Sequence, residues 1–229
     1  MNIQLSAKSI LKFLLVIIAL LFLLNVVDIF LRVYLELDNP IINKLTTFFN
    51  FNYENSVPTA YSAVAILLCS ILLFIISTDN NLSKSNSRKW LFLSLVFLFL
   101  FFDEIIEFHE TIDYYVQSRL NTTGMLFFAW VIPYSLFVAV LGLVYIRFLW
   151  NLKKNIRTLF IVSGIIYVGG AIGMELFQAQ IIYTTREHNI IYYIFTSIEE
   201  LMEMLGIAIF IYALVLYIET EFEFFQLKI

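Results

Sequence analysis

The sequence predicts an all-α fold: a polytopic transmembrane helical bundle of six spans, forming one domain over residues 1–229, with both termini cytoplasmic. Three observations predict it. The 229-residue chain is 61% hydrophobic and 14% charged, whereas soluble domains are about half apolar and about a quarter charged. Six apolar runs each approach the ~20 residues that cross a bilayer as a helix. The connections between those runs alternate between basic and non-basic, as the positive-inside rule requires of a multi-pass chain.

The first run, near Phe13–Tyr34, follows Lys8 and Lys12. No small-residue cleavage site follows it; Asn25-Val26-Val27-Asp28 stands there instead, so it reads as a retained span and not a signal peptide. An exterior loop, Glu36–Pro58, is rich in Asn and Thr and carries Pro40 and Pro58 as breakers. The second run lies near Thr59–Ser77. A polar connection with Lys84, Arg88 and Lys89 leads to the third, near Trp90–Glu110. Asn121-Thr122-Thr123, a glycosylation-type sequon and a weak pattern, precedes the fourth run, near Met125–Ile146. Arg147, Lys153, Lys154 and Arg157 follow it, before runs near Leu159–Ile182 and Ile194–Tyr217. With Lys228 these residues put ten of the fourteen Lys and Arg on one side, against Arg32, Lys44, Arg119 and Arg186 on the other. The rule assigns the basic side to the cytoplasm; the acidic tail Glu219, Glu221 and Glu223 counts little toward it. The runs are too long, and too free of alternation, to be barrel strands.

Several function classes fall away at this point. Cys69 is the single cysteine, which excludes an intrachain disulfide and a cysteine metal cluster. There is no glycine-rich nucleotide loop and no basic patch for nucleic acid. The 24 Phe and 13 Tyr suit lipid-facing and core positions.

The informative residues are acids inside apolar runs, which are costly there and mark functional sites. Asp103-Glu104-Ile105-Ile106-Glu107-Phe108-His109-Glu110 closes the third run, Glu175 stands in the fifth, and Glu199-Glu200-Leu201-Met202-Glu203 stands in the sixth. Counted from the cytoplasmic end of each helix (Lys12, Lys89, Arg157 and Glu219) at about 1.5 Å per residue, Asp28, Arg32, Asp103, Glu107, Glu175, Glu199 and Glu203 fall at one level, ~21–30 Å up. Asp103, Glu107 and Glu110 share a helical stripe, as do Glu199, Glu203 and Gly206, the glycine permitting close helix approach. Gly169, Gly170 and Gly173 give the fifth run a small face before Glu175. His109 points away from the Asp103 stripe by roughly 120° on an ideal wheel, toward an outer mouth near Asp113.

Like charges at one depth need protons, a cationic partner or a metal. Asp103, Glu107, Glu175, Glu199 and Glu203 are the expected ligands of a cation, with Glu104, His109, Glu110, Glu200, Asp28 and Arg32 at the rim or behind it. Their hard oxygens suit a divalent metal ion such as Mg, Ca or Mn, and one imidazole also admits Zn or Fe. Hydrolase motifs fit poorly. His109-Glu110-Thr111-Ile112-Asp113 lacks the second histidine of the zinc-protease motif, Glu199-Glu200 lacks the arginine of CAAX-protease-like enzymes because Met204 stands there, and Glu104-x-x-Glu107 and Glu200-x-x-Glu203 lack the histidines of di-iron bundles. The favoured function is binding or transport of a cation, a proton or a cationic ligand. A metal-dependent membrane hydrolase is the second reading, and an assembly or sensing subunit, whose acids receive a membrane protein partner's Lys or Arg, is the third.

Phe101-Phe102-Asp103-Glu104 with His109-Glu110, Gly170-x-x-Gly173-x-Glu175, and Glu199-Glu200-Leu201-Met202-Glu203-Met204-Leu205-Gly206 followed by Phe210-Ile211-Tyr212-Ala213-Leu214 resemble a group of small bacterial six-helix inner-membrane proteins. Their patterns run Leu-Asp-Glu…His-Glu and Glu-Glu-x-Leu-Glu-Met-Leu-Gly; Phe102 departs from the expected Leu. The resemblance covers the third to sixth runs. It implies a bacterial inner-membrane protein with the same acidic positions, and it implies no mechanism.

Overall fold

The computed structural model describes residues 6–33 and 47–221; Tyr34, Glu36, Pro40, Lys44, Glu223 and Lys228 lie outside the described residues. Among the described residues all regular structure is helical. The elements are α1 (Ala7–Val33), α2 (Val57–Ser77), α3 (Lys84–Ile106), α4 (Phe108–Leu120), a 3₁₀ turn (Gly124–Leu126), α5 (Val131–Asn151), α6 (Lys154–Val168), a π-helical turn (Gly169–Met174), α7 (Glu175–Thr185) and α8 (Ile190–Glu221). Among the described residues, five stretches are long and apolar enough to cross a membrane: α1, α2, α5, Lys154–Thr185 and α8.

Two starts are set by serine caps. Ser56 accepts a hydrogen bond from the Thr59 N–H ahead of Pro58 at the start of α2, and Ser83 accepts one from the Asn86 N–H at the start of α3; these satisfy donors that a first helical turn leaves open. Three expected segments differ, the fifth because the π turn Gly169–Met174 interrupts it. The third run was expected to stay helical to Glu110, but α3 stops at Ile106. The fourth was expected from Met125, but α5 starts at Val131 after the 3₁₀ turn.

The longest helix, α8, is the axis of the bundle and packs against α1, α2, α6, the π turn and α7. Met204, Ala208, Ile211 and Leu214 on it are fully buried. Small residues set the closest contacts, as expected where lipid supplies no hydrophobic drive between helices. A Cβ on Gly206 would lie 2.8 Å from both Cβ and backbone N of Tyr167, so glycine is what lets α6 and α8 touch. Between α2 and α3, Ser70 Oγ donates to the Ser94 carbonyl at 2.9 Å and Ser94 Oγ donates to the Ser70 carbonyl at 2.8 Å.

The two ends of the bundle differ in kind. At one end the Ala7 N–H meets Glu219 Oε1 at 2.7 Å and Lys153 Nζ meets Glu221 Oε1 at 2.6 Å, which brings the start of α1, the α5–α6 connection and the end of α8 together. Trp90, 1% exposed, stacks edge-on against Phe148 there, with centroids 4.9 Å apart. The acids of the third, fifth and sixth runs gather at the other end.

Candidate functional site

The break between α3 and α4 shapes the site. Glu107 adopts φ 55°, ψ 43°, the left-handed region that few non-glycine residues occupy, and its N–H donates to the Asp103 carbonyl at 2.9 Å. The chain therefore turns between Ile106 and Phe108. Glu110 leaves the Asp103 stripe, and His109 swings back toward Asp103 where a continuous helix would have turned it away. This corrects the expected placement of both residues. The His109 N–H donates to Asp103 Oδ1 at 2.9 Å, and its Nδ1 lies 3.5 Å from Asp103 Oδ2. Tyr134 on α5 donates its hydroxyl to Asp103 Oδ1 at 3.0 Å. Burial alone would lower the His109 pKa, but the bonded Asp103 carboxylate, with Glu54 and Glu175 nearby, outweighs it and pushes the imidazole up to about 9. His109 is a cation at neutral pH.

At the mouth, Glu54, Glu107 and Glu110 bring one carboxylate oxygen each within 4.8 Å of one another. Among the described residues this is the group of His, Cys, Asp and Glu so arranged, and of the five expected ligands only Glu107 belongs to it. Glu54 comes from the loop before α2. Burial, opposed by His109 and reinforced by Glu107, Glu110 and Glu104, raises its pKa to about 7. No sequence signal singles out Glu54; it is an ordinary loop residue until the fold brings it to the α3–α4 joint.

That loop is fastened from below. Asn25 Oδ1 accepts from the Phe51 N–H at 2.9 Å, and Asn25 Nδ2 donates to Ser197 Oγ on α8 at 2.8 Å. Asn50 donates to Asp28, and Arg32 Nε donates to both Asp28 oxygens at 2.8 and 2.9 Å. Asp28 is 0% exposed. Asp28 and Arg32 thus pair with each other and anchor the loop that carries Glu54.

Deeper in, the π turn delivers Glu175. Such turns widen a helix locally and are frequent at functional sites. Trp130 Nε1 donates to Glu175 Oε1 at 3.1 Å, and the Trp130 N–H donates to Asp113 Oδ1 at 3.1 Å. The Glu175 and Glu199 carboxyls approach each other closely. Gln178 Nε2 donates to Glu199 Oε2, and Thr196 Oγ1 donates to Gln178 Oε1 at 2.6 Å. Below this pair, Glu203 interacts electrostatically with Glu200, Glu104 and Glu175, and Glu200 with Glu104 and Glu54. Gly170 makes this approach possible: a Cβ there would stand 3.0 Å from the Glu199 carbonyl and 3.2 Å from Glu203 Cγ.

The expected acids therefore fall into two tiers bridged by His109. Glu107 and Glu110 join Glu54 at the mouth; Glu175 and Glu199 lie close together inside; Glu200, Glu203 and Glu104 are near enough to interact electrostatically; Asp103 is taken up by His109 and Tyr134. Gln178, Glu54 and Tyr134 are members that sequence reasoning missed.

No curated protein and no solved structure matches the chain. A family model described as a domain of unknown function (DUF8692) matches residues 13–218, and the chain belongs to that family.

Proposed function

We propose that this is a bacterial inner-membrane protein of six spans, α3 being the sixth, whose outer-half acids bind a cation in a binding or transport role. One observation carries the reading. Carboxylates from the loop before α2, from α3, from the α3–α4 joint, from α7 and from α8 converge with His109 as the basic group among them. Such a set is held together by added positive charge. Three oxygens at the mouth suit a hard divalent ion, which also accepts water as ligand. The Glu175–Glu199 contact suits a proton. The orientation is supported by the basic connections: Lys8, Lys89 and Lys153 lie at the end opposite the acids, which the positive-inside rule assigns to the cytoplasm.

The test is elemental analysis of purified protein, wild type beside Glu107→Gln/Glu203→Gln, together with thermal unfolding across a divalent-ion titration. Expected are a saturable upward shift in wild type and its loss in the double variant. An unchanged response in the double variant overturns the reading. Metal-dependent turnover on a lipid-borne substrate would instead favour a hydrolase, and a co-purifying basic partner an assembly subunit.

A further inference from the structure

The short helix α4 has faces of different character, and its contacts separate them. One face is tied to the protein. The His109 N–H donates to Asp103, Asp113 accepts from the Trp130 N–H, and Gln117 Nε2 donates to the Phe127 carbonyl at 2.9 Å. Those three residues share one stripe, at spacings of four. The rest of the circumference divides into two flanks. Glu110, Thr111, Tyr114 and Ser118, all exposed, make one. Phe108, Ile112, Tyr115 and Arg119, at i, i+4, i+7 and i+11, make the other. On this second flank only Ile112 is half-buried, and Tyr115 is 61% exposed.

The second flank continues a surface that already faces lipid. The exposed side of α3 is the stripe Leu95, Phe99, Phe102 and Ile106, which meets acyl chains where α3 crosses the bilayer. Phe108 folds back onto it: the Phe99 and Phe108 rings meet edge to face, with centroids 6.1 Å apart. Phe99 lies two helical turns, about 10 Å, below Ile106. The left-handed turn at Glu107 therefore does not release α4 into water, because its first ring rests on the lipid side of α3. At 13 residues α4 is too short to cross. The bond from Tyr134 to Asp103 keeps the start of α5 beside the end of α3, so the chain leaves and re-enters the bilayer on one side. Arg119 stands in the last turn on the same flank as the aromatic residues. A guanidinium there lays its stem over apolar surface and puts its planar head among phosphates. Tyrosine is enriched at that same boundary.

We infer that α4 lies in the outer interface of the bilayer and that its partner is phospholipid. Phe108, Ile112 and Tyr115 enter the boundary between headgroups and acyl chains, to a depth of about 5–10 Å. Arg119 meets lipid phosphate, and Glu110 and Tyr114 face water. The mouth formed by Glu54, Glu107 and Glu110 then stands at headgroup level. The inference rests on α3 being a span, and it is independent of what the acids bind.

The experiment uses full-length protein in nanodiscs of phosphatidylcholine and phosphatidylglycerol. Single cysteines are spin-labelled in turn at Leu95 and Phe102 on α3 and at each position from Glu110 to Arg119. Cys69, 0% exposed, is shielded from the label, with unsubstituted protein as the control. EPR reads collision with oxygen, which concentrates in lipid, and with a neutral nickel chelate, which stays in water. Expected are oxygen maxima at Ile112 and Tyr115, and a loss of nickel access there relative to Thr111 and Tyr114, the two patterns about a third of a turn apart. A label at Arg119 is expected to broaden the lipid phosphorus NMR signal more than one at Tyr114. Nickel access all round α4, with the α3 labels still in lipid, overturns this inference alone. Nickel access on α3 as well overturns the six-span reading together with it. Protection of Ile112 and Tyr115 from both probes would put a protein there in place of lipid and overturn it too. Equal phosphorus broadening from the two labels overturns the phosphate contact.

Discussion

Alanine placed in turn at Gly206, Gly170 and Gly173 tests whether glycine contacts build the site. At Gly206 the added Cβ falls 2.8 Å from two Tyr167 atoms, one of them backbone, and 3.0 Å from the Ser163 carbonyl, where ordinary contact begins at 3.4 Å. Backbone cannot rotate aside, so α6 and α8 must part. Overpacking of this kind costs ~1–3 kcal/mol. At Gly173 nothing lies within 4 Å of the new Cβ. The helix-propensity gain of Ala over Gly, up to ~1 kcal/mol, acts at both positions and cancels in the comparison. Gly206→Ala is therefore expected to be less stable than Gly173→Ala by ~1–3 kcal/mol, measured by SDS-induced unfolding from mixed micelles. Gly170→Ala sits between them in strain, and it bears directly on the acids, because its new neighbours are the Glu199 carbonyl, Met202 Cβ and Glu203 Cγ. It is expected to weaken the response to divalent ions more than Gly206→Ala does, whatever its own stability. Equal stability of the Gly206 and Gly173 variants would refute the packing argument. An undiminished ion response in Gly170→Ala would refute its link to the site.

The remaining predictions concern charge. Glu54 has its pKa raised to about 7 and His109 to about 9 in the fold. A group with a raised folded pKa stabilises fully below its unfolded value and loses that contribution as pH rises through the folded value. Stability without added ions should therefore fall from pH ~5 to pH ~9, as followed by thermal unfolding, and Glu54→Gln should remove the lower part of that slope. A divalent ion bound at Glu54, as proposed above, would displace the proton there, so its stabilising effect should be larger at pH 8 than at pH 5.5; equal effects would count against Glu54 as a ligand. Asp28→Asn strips the charge from a 0% exposed partner of Arg32 and Asn50. Breaking a buried pair costs ~3–5 kcal/mol, and the partial exposure of Arg32 places the expected loss near the bottom of that range, read from denaturant midpoints.

What the sequence made legible follows from which signals are local. Apolar length located α1, α2, α5 and α8, because span length depends only on the residues within the span. The roles of Gly170 and Gly206 were readable for the same reason: glycine beside an acidic stripe on one helix already implies a close neighbour. The α3–α4 break was not readable. Neither Gly nor Pro marks it, and Glu107 holds a left-handed conformation within a joint where its own N–H, the His109 N–H and Tyr134 all bond to Asp103. That is a tertiary cause, invisible along one helix. The π turn was not legible either: Gly169, Gly170 and Gly173 announce a small face, which says nothing of the widened hydrogen-bond pattern over Gly169–Met174. Glu54 was out of reach because its place is set by Asn25, Asp28 and Asn50.

The position of His109 leads to the sharpest test of how the tiers work together. The imidazolium feels Glu54 in the outer tier and Glu175 in the inner one, so it neutralises part of both while no other cation is bound. A metal ion approaching Glu54, Glu107 and Glu110 must compete with that charge. Replacing it by the neutral amide in His109→Gln should leave the acids more dependent on an external cation. Stability in chelator at pH 7.5 should drop, and the shift produced by a saturating divalent ion should exceed that of wild type. The same substitution should flatten the high-pH part of the stability profile, since the group with a pKa of about 9 is gone. A merely structural role for His109 predicts a lower stability with an unchanged ion shift. That outcome would mean the two tiers act separately, with the mouth as the cation site and the Glu175–Glu199 pair confined to holding a proton.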